Sequence, residues 1–457
     1  MTVRIVPRLF NGEVKIPASK SHTIRRLLIA SLADGVSEII NPLDSLDTRS
    51  CLSACRAFGA EITEENGEKT DNLSRWKIKG NNNFKNTAPL RELSGKASQN
   101  SADLPVRIDV GGSGTTLFFS LAIAGLQSER IEFSGDEQIQ KRSAAPLLDA
   151  LAALGVQSQS GCGCVPIQIK GPWKGGKAVL PCLTSQYLSA MLIASPLAPA
   201  GSTTEIEVPL LNEKPYIDMT LSYLNAHNIP YEAPLPDYSR FVIPGGSAWK
   251  AYTSVVPGDF SSAAFPAAAA VISGGRAVMS GLDPQDSQGD KYFFEILKKM
   301  GCDIQWQGCG EKGFSLAVSR GGSLRGGTFD LNETPDLLPA AAAVAAFAQG
   351  DTAFVNVPHA RIKECDRIAA AAKELAKLGV SCTELPGGLV VHGNGGASPG
   401  GKNIVIDGHG DHRIVMAFAA AALGCQNPVM ITDAESPAAA YPGFFEMMEA
   451  SLQGPAP

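Results

Sequence analysis

The chain has 457 residues, 44% of them hydrophobic and 18% charged, with a formal net charge of −6. That length leaves room for two or three domains with a large buried core, and the acidic balance excludes the global basic field of a nucleic-acid binder. No run of about 18 apolar residues occurs, so no membrane span is expected, and ten scattered cysteines without matching histidines point to reduced thiols in a cytoplasmic protein.

The opening MTVRIVPRLFNGEVKI reads as a strand and lacks the apolar leader of a signal peptide. A helix is expected from about Lys20. Ser19 and Ser21 are N-cap types, and Ile24, Leu27 and Leu28 make an apolar stripe. Its first turns carry Lys20, His22, Arg25 and Arg26, although the start of a helix is its positive end and each cation there costs about 0.3–1 kcal/mol. The same design returns down the chain: a small polar cluster, an Ala/Leu-rich run, then Gly or a turn. It is SKSHTIRRLLIASLADG, then GGSGTTLFFSLAIAGL, TSQYLSAMLIASPLA, GDFSSAAFPAAAAVISGG, TPDLLPAAAAVAAFAQG and GDHRIVMAFAAAALG. The copies begin at 19, 111, 184, 258, 334 and 410, spaced by 92 residues and then by 73 to 76. A polar, turn-rich segment over 64–103 absorbs the longer first interval.

A second, amphipathic helix recurs between these copies, in LSACRAFGAEIT, LLDALAALGVQS, LSYLNAHNIPYE, EILKKMGCDIQW and ELAKLGVSCTEL. Each turns at Gly or Asn into an extended stretch. The repeating unit is therefore helix, strand, helix, strand, with further short strands. Ala/Leu-rich helices have little polar face and are expected to lie buried inside a shell of sheet and amphipathic helices. Six such units divide naturally near residue 257 into two domains of three.

The repeated helix starts collect the chemically useful residues. They hold Lys20, Ser21 and Arg25; Gly111 to Thr116; Thr184, Ser185 and Gln186; Asp259, Ser261 and Ser262; Thr334 and Asp336; and Asp411, His412 and Arg413. Parallel helices in each domain would gather their N-termini at one end, and two such ends face to face would form an anion site rich in free backbone N–H groups. Cations there suit a doubly charged ligand. GGSGTT lacks the lysine and spacing of a P-loop. QKRSAAPLL places Arg142 at a corresponding helix start. In KECDRIAAAAKELAKLG, Lys363, Glu364, Asp366 and Arg367 crowd one helix start, where Lys363 and Arg367 at i,i+4 would repel. His409 and His412 have no third ligand pattern beside them, so no metal is expected.

The stretches SKSHTIRRLLIASLADG, LDSLDTRSCLSACRAFGA, TPDLLPAAAAVAAFA, RIKECDRIAAAAKELAKLGV, GDHRIVMAFAAAAL and YPGFFEMM resemble, in order along nearly the whole chain, the EPSP synthase (3-phosphoshikimate 1-carboxyvinyltransferase) family. The resemblance implies an α/β (α+β) two-domain enolpyruvyl transferase fold. Each domain has three βαβαββ units around a pseudo-threefold axis, six repeats in all. One domain is discontinuous, 1–18 plus 257–457; the other is 19–256 and carries the insertion 64–103. The implied reaction converts phosphoenolpyruvate and shikimate 3-phosphate into 5-enolpyruvylshikimate 3-phosphate and phosphate, with no metal or organic cofactor. The enzyme is expected to be a cytoplasmic monomer with no nucleic-acid or membrane partner.

The same resemblance implies site residues. Lys20, Arg142, Arg367 and Arg413 would hold phosphoenolpyruvate, Gly114 would line its phosphate pocket, and Gln186 would lie between the two ligands. Thr184, Ser185 and Lys363 would hold the shikimate phosphate; Lys20, Ser21, Arg25, Tyr216 and His359 would complete the acceptor site. Asp336 would take the hydroxyl proton, and Glu364, with Lys20, would protonate the methylene carbon. Several positions depart from the family's pattern: Gly112 stands for Asn, Phe118 for Arg, Glu213 for Ser or Arg, His359 for Asn, and Ala439 for a Lys found in some members. These departures keep open a divergent paralogue that binds a shikimate-like phosphate with weak or no turnover, or a transferase for another acceptor. The related UDP-N-acetylglucosamine transferases lack the SKS…R start that this chain has.

Overall fold

The computed structural model describes residues 1–65, 67, 73–81, 105–234, 236–308, 313–393, 401 and 403–453, so most of the insertion expected over 64–103 lies outside the described residues. The chain divides into a contiguous unit, Lys20–Val256, and a split unit, Met1–Ser19 with Pro257–Pro457.

In the contiguous unit a single pattern is used three times. Val106–Asp109 pairs in parallel with Ile131–Ser134, and the hairpin Gln157–Gly161/Cys164–Lys170 closes the sheet with its second strand against Ile131–Ser134. A parallel pair needs a crossover, and a buried helix supplies it. Thr253–Val255, Val36–Ile40, Arg75–Lys79 and Glu61–Glu65 form the same sheet in the same order, its leading strand coming from the far end of the unit. Gly176–Val179, Thr203–Glu207 and Arg240–Pro244 form the third, where a single bridge, Glu232 to Val242, marks the place of the fourth strand. The helices, in chain order, are α1 (Lys20–Leu32), α2 (Leu46–Ala57), α3 (Gly114–Ala124), α4 (Ala145–Ala153), α5 (Ser185–Ala194) and α6 (Lys214–Ala226). The Ala/Leu-rich α1, α3 and α5 are buried nearly throughout, and α3 packs on both α1 and α5.

The split unit repeats the pattern with α7 (Phe260–Ser273), α8 (Tyr292–Lys299), α9 (Leu338–Ala345), α10 (Arg367–Lys377), α11 (His412–Ala422) and α12 (Phe444–Ala450). Its discontinuity has a structural reason. Leu9–Lys15 is the leading parallel strand beside Arg276–Ser280, and Thr2–Ile5 pairs antiparallel with Val429–Thr432 to complete another sheet. Thr328–Asp330, Asp351–Val355, Gly388–His392 and Cys382–Leu385 form the remaining sheet. The buried helices α7, α9 and α11 pack on one another. The approach is close enough at one point to require glycine: a Cβ at Gly424, just past α11, would stand 2.5 Å from Phe347 and 2.6 Å from Ile272.

The outer helices end as the pattern predicts. Gly59, Gly155, Asn228, Gly301 and Gly379 follow α2, α4, α6, α8 and α10 with φ of 91°, 93°, 55°, 99° and 83°, the left-handed turn that leads into the next extended segment. Three expected starts differ. Thr334 opens a short 3-10 turn, Pro335–Leu337, before α9, so Asp336 projects from that turn and not from an α-helix. Arg142 follows a 3-10 turn and precedes α4, with extended backbone. Lys363 and Glu364 precede α10, whose N-cap is Asp366, so Lys363 and Arg367 are not an i,i+4 pair within one helix. None of the described helices is long and apolar enough to cross a membrane.

Candidate active site

In the contiguous unit the helix starts bring Gly114, Arg142 and Gln186 together. Ser113 caps α3, its side chain accepting from Thr116 N–H. A Cβ on Gly114 would lie 2.5 Å from both Cζ and Nη1 of Arg142, so glycine is what lets the guanidinium rest on the first turn. Arg142 also lies over the Phe118 ring, 5.8 Å from its centroid, and its Nη2 reaches Gln186 Oε1 at 3.5 Å. Gln186 Nε2 in turn donates to Thr115 Oγ1 at 2.9 Å. Phe118, a departure from the family's pattern, therefore contributes a ring face to Arg142. Gly112 leaves room for Asp136, whose Oδ2 would be 2.7 Å from a Cβ there.

Lys20 opens α1 and donates to Asp47 Oδ2 at 2.8 Å, a pair largely sheltered from solvent. Arg25 is only 2% exposed, and burial lowers its pKa to about 10, partly offset by Tyr223, Tyr216 and Glu213. Its guanidinium donates to Thr220 Oγ1, Ser189 Oγ and the carbonyls of Ser21 and Tyr216, and it lies 5.1 Å from the Phe119 ring centroid. Arg25 is thus directed into the fold, and the residues it holds in place are Ser21 and Tyr216. Thr184 caps α5 by accepting from Gln186 N–H, and Thr184 and Ser185 both donate to Glu213.

The split unit gathers Asp336, Glu364, Arg367 and Arg413 into one network. Arg367, 1% exposed, donates Nη1 to Asp336 Oδ1 at 2.6 Å, Nη2 to Glu364 Oε2 at 2.6 Å and Nε to Asp411 Oδ2 at 2.7 Å. Arg413 donates Nη2 to Asp336 Oδ2 at 2.9 Å and Nη1 to Ser261 Oγ. Asp411 caps α11 and accepts from Arg413 N–H at 2.8 Å. Burial disfavours ionised Asp336, yet Arg413, Lys363 and Arg367 outweigh it and hold its pKa far below the usual carboxylate range. The same contest lowers Asp411, where Arg367 wins, and raises Arg367. His359 is buried beside Asn332, its Nε2 3.0 Å from the carbonyl oxygen. Ala439 ends a short 3-10 turn, Ser436–Ala439.

Two acids of the site, Asp47 and Asp290, are not singled out by the sequence, and the bonding of a third, Asp411, is not legible there. Asp47 gives no local signal because its partner Lys20 is 27 residues away. Asp411 was visible as a helix-start residue but not as the third carboxylate on Arg367. Asp290 is buried, hydrogen-bonds Ser261 and has a pKa raised to about 7 by burial and by Asp336, against Arg413 and Ser261. The two histidines weighed for a metal point to different places. His409 Nε2 is 3.0 Å from Glu374 Oε1, while His412 is buried near Asp411. Glu374, Asp407 and His409 have potential ligand atoms within 4.8 Å of one another, but Lys377 Nζ already sits 2.6 Å from Glu374 Oε2.

A family model described as EPSP synthase (3-phosphoshikimate 1-carboxyvinyltransferase) matches residues 6–448. A 3-phosphoshikimate 1-carboxyvinyltransferase of Acetivibrio thermocellus is 40% identical over 450 residues, covering 98% of this chain and 97% of the relative. One from Methanothermobacter thermautotrophicus is 37% identical, covering 96% and 95%. A solved EPSP synthase structure from Acinetobacter baumannii superposes with a TM-score of 0.74 at 26% identity, covering 99% of this chain and 98% of that one.

Proposed function

Because the chain belongs to the EPSP synthase family, we propose that it transfers the enolpyruvyl group of phosphoenolpyruvate to the 5-hydroxyl of shikimate 3-phosphate, a step of the shikimate pathway toward aromatic amino acids. The hydroxyl oxygen adds to C2 of phosphoenolpyruvate while C3 takes up a proton. The resulting ketal expels phosphate, and C3 gives a proton back. Two anionic substrates need fixed cations, and the two proton transfers need a base and an acid.

The residues sort accordingly. Lys20, Arg142, Arg367 and Arg413 serve phosphoenolpyruvate, with Gly114 admitting the Arg142 guanidinium and Gln186 touching both ligands. Thr184, Ser185 and Lys363 serve the acceptor phosphate. Lys20, Ser21, Tyr216 and His359 serve the acceptor ring, with Arg25 positioning Ser21 and Tyr216. Asp336 is the base; Lys20, and Glu364 once it has taken up a proton, are the proton donors to C3, since beside Arg367 the resting Glu364 is a carboxylate. The observation that carries the reading is Asp336 bonded to both Arg367 and Arg413, with Glu364 on the other nitrogen of Arg367. Held so, Asp336 is an anion but a poor base. An anionic substrate on the two guanidinium groups would neutralise their pull, raise the proton affinity of Asp336 and switch the base on only when substrate is bound.

Inorganic phosphate release from purified protein supplied with both substrates tests this. Release should need both substrates, and Asp336→Ala, Glu364→Ala and Lys20→Ala should each lower it while the protein stays folded. Absence of release from folded protein that binds both would overturn it. A cytoplasmic monomer remains part of the reading, and sedimentation tests the oligomeric state.

A further inference from the structure

Glu213 occupies the donors that the functional reading assigns to the acceptor's phosphate. It is 2% exposed, immediately precedes α6, and takes a left-handed backbone conformation with φ 59° and ψ 43°. A single oxygen, Oε2, accepts from Thr184 Oγ1 at 3.0 Å, Ser185 N at 2.9 Å and Ser185 Oγ at 2.7 Å. A carboxylate here has the right charge for the N-terminus of α5, whose free N–H groups and dipole favour an anion. The backbone around it is strapped to the same place. Asn212 N donates to the Cys182 carbonyl and Asn212 Nδ2 to the Leu183 carbonyl, both at 3.2 Å. With the loop held in this way, displacement of the carboxylate from these donors falls to the Glu213 side chain.

We propose that Glu213 is a specificity-determining residue: an internal carboxylate that holds the phosphate seat of the acceptor site and must be displaced when a phosphorylated acceptor binds. The proposal rests on the functional reading above. Each hydroxyl has one proton to donate, so a phosphate and Glu213 cannot both use Thr184 and Ser185. Two anions on one helix start also repel. Phosphate affinity is then reduced by the fraction of molecules in which the carboxylate has swung aside. In return, the empty seat never leaves buried hydroxyl and amide donors unsatisfied. An acceptor without phosphate leaves Glu213 undisturbed and escapes this competition.

The test is calorimetric binding of shikimate 3-phosphate and of shikimate to the full-length protein and to two variants, Glu213→Ser and Glu213→Gln. Glu213→Ser should bind shikimate 3-phosphate at least tenfold more tightly and shikimate within threefold of the parent. Glu213→Gln, which keeps the side chain's size and removes its charge, should move the same way by less, and it decides the matter if Glu213→Ser fails to fold. Unchanged or weakened shikimate 3-phosphate binding, or equal shifts for both ligands, would overturn the proposal. If the parent protein releases phosphate from its two substrates and the variants bind no tighter, only this proposal falls. If the parent neither binds shikimate 3-phosphate nor turns over, the functional reading falls and takes the proposal with it.

Discussion

The two units share one frame of buried helices and repeated sheets, yet they settle their buried cations in opposite ways. In the contiguous unit, Arg25 donates to neutral oxygens and lies against Phe119, and Arg142 lies on Phe118. In the split unit, Arg367 is bonded to three carboxylates, one of which it shares with Arg413. A cation against rings and neutral dipoles keeps its charge available to an anion. A cation among carboxylates instead governs their proton affinity. Buried arginines thus meet two settings, rings and neutral dipoles in the contiguous unit and a carboxylate network in the split unit.

The largest effect expected of breaking that contrast is on turnover. Asp336→Ala should lower kcat for phosphate release by about 10²–10⁴-fold, the usual contribution of a positioned acid or base. Next comes stability. Arg367→Ala leaves three carboxylates short of their shared partner and should cost about 3–5 kcal/mol in denaturant unfolding, whereas Arg142→Ala, removing a cation from a ring face, should cost far less.

The pH dependence of unfolding sharpens the contrast within the split unit. Asp336 is depressed, so its stabilisation is present above the ordinary carboxylate range of about 4 and disappears as pH falls below it. Asp290 is raised to about 7, so its effect has the opposite sign. Between about pH 4 and 7 the unfolded chain has released this proton and the folded one still holds it. Stability therefore falls with rising pH, by up to about 1.4 kcal/mol per unit from this group. Asp290→Asn should flatten that slope and leave the protein more stable than the parent at pH 8. The smallest effect is expected from Gly114→Ala. Its methyl group would push Arg142 off the first turn of α3 and raise KM for phosphoenolpyruvate about tenfold, the loss of one charge-assisted contact.

Much of the frame is legible in the chain because its signals are local. Alanine runs mark the buried helices, and Gly59, Gly155, Asn228, Gly301 and Gly379 mark where the outer helices stop. What is not legible comes from packing at long range. Thr2–Ile5 finds its partner at Val429–Thr432, and no pattern within either stretch names the other. The site divides in the same way. Thr184, Ser185, Asp336 and Arg413 stand out because they sit at the starts of repeated helices. The placement of Asp290 beside Ser261, and of Glu213 on Thr184 and Ser185, depends on loops brought in from elsewhere in the fold. Charge type alone also misleads: Arg25 sits near a helix start like a ligand-binding cation, but its bonds run inward.

The most direct test of the proton-transfer account is the reaction run in D₂O, with the vinyl methylene of the product followed by proton NMR. If C3 accepts a proton and later returns one, deuterium enters the methylene of the enolpyruvyl product as it forms, and Asp336→Ala suppresses product and label together. Product formed with an unlabelled methylene would contradict it.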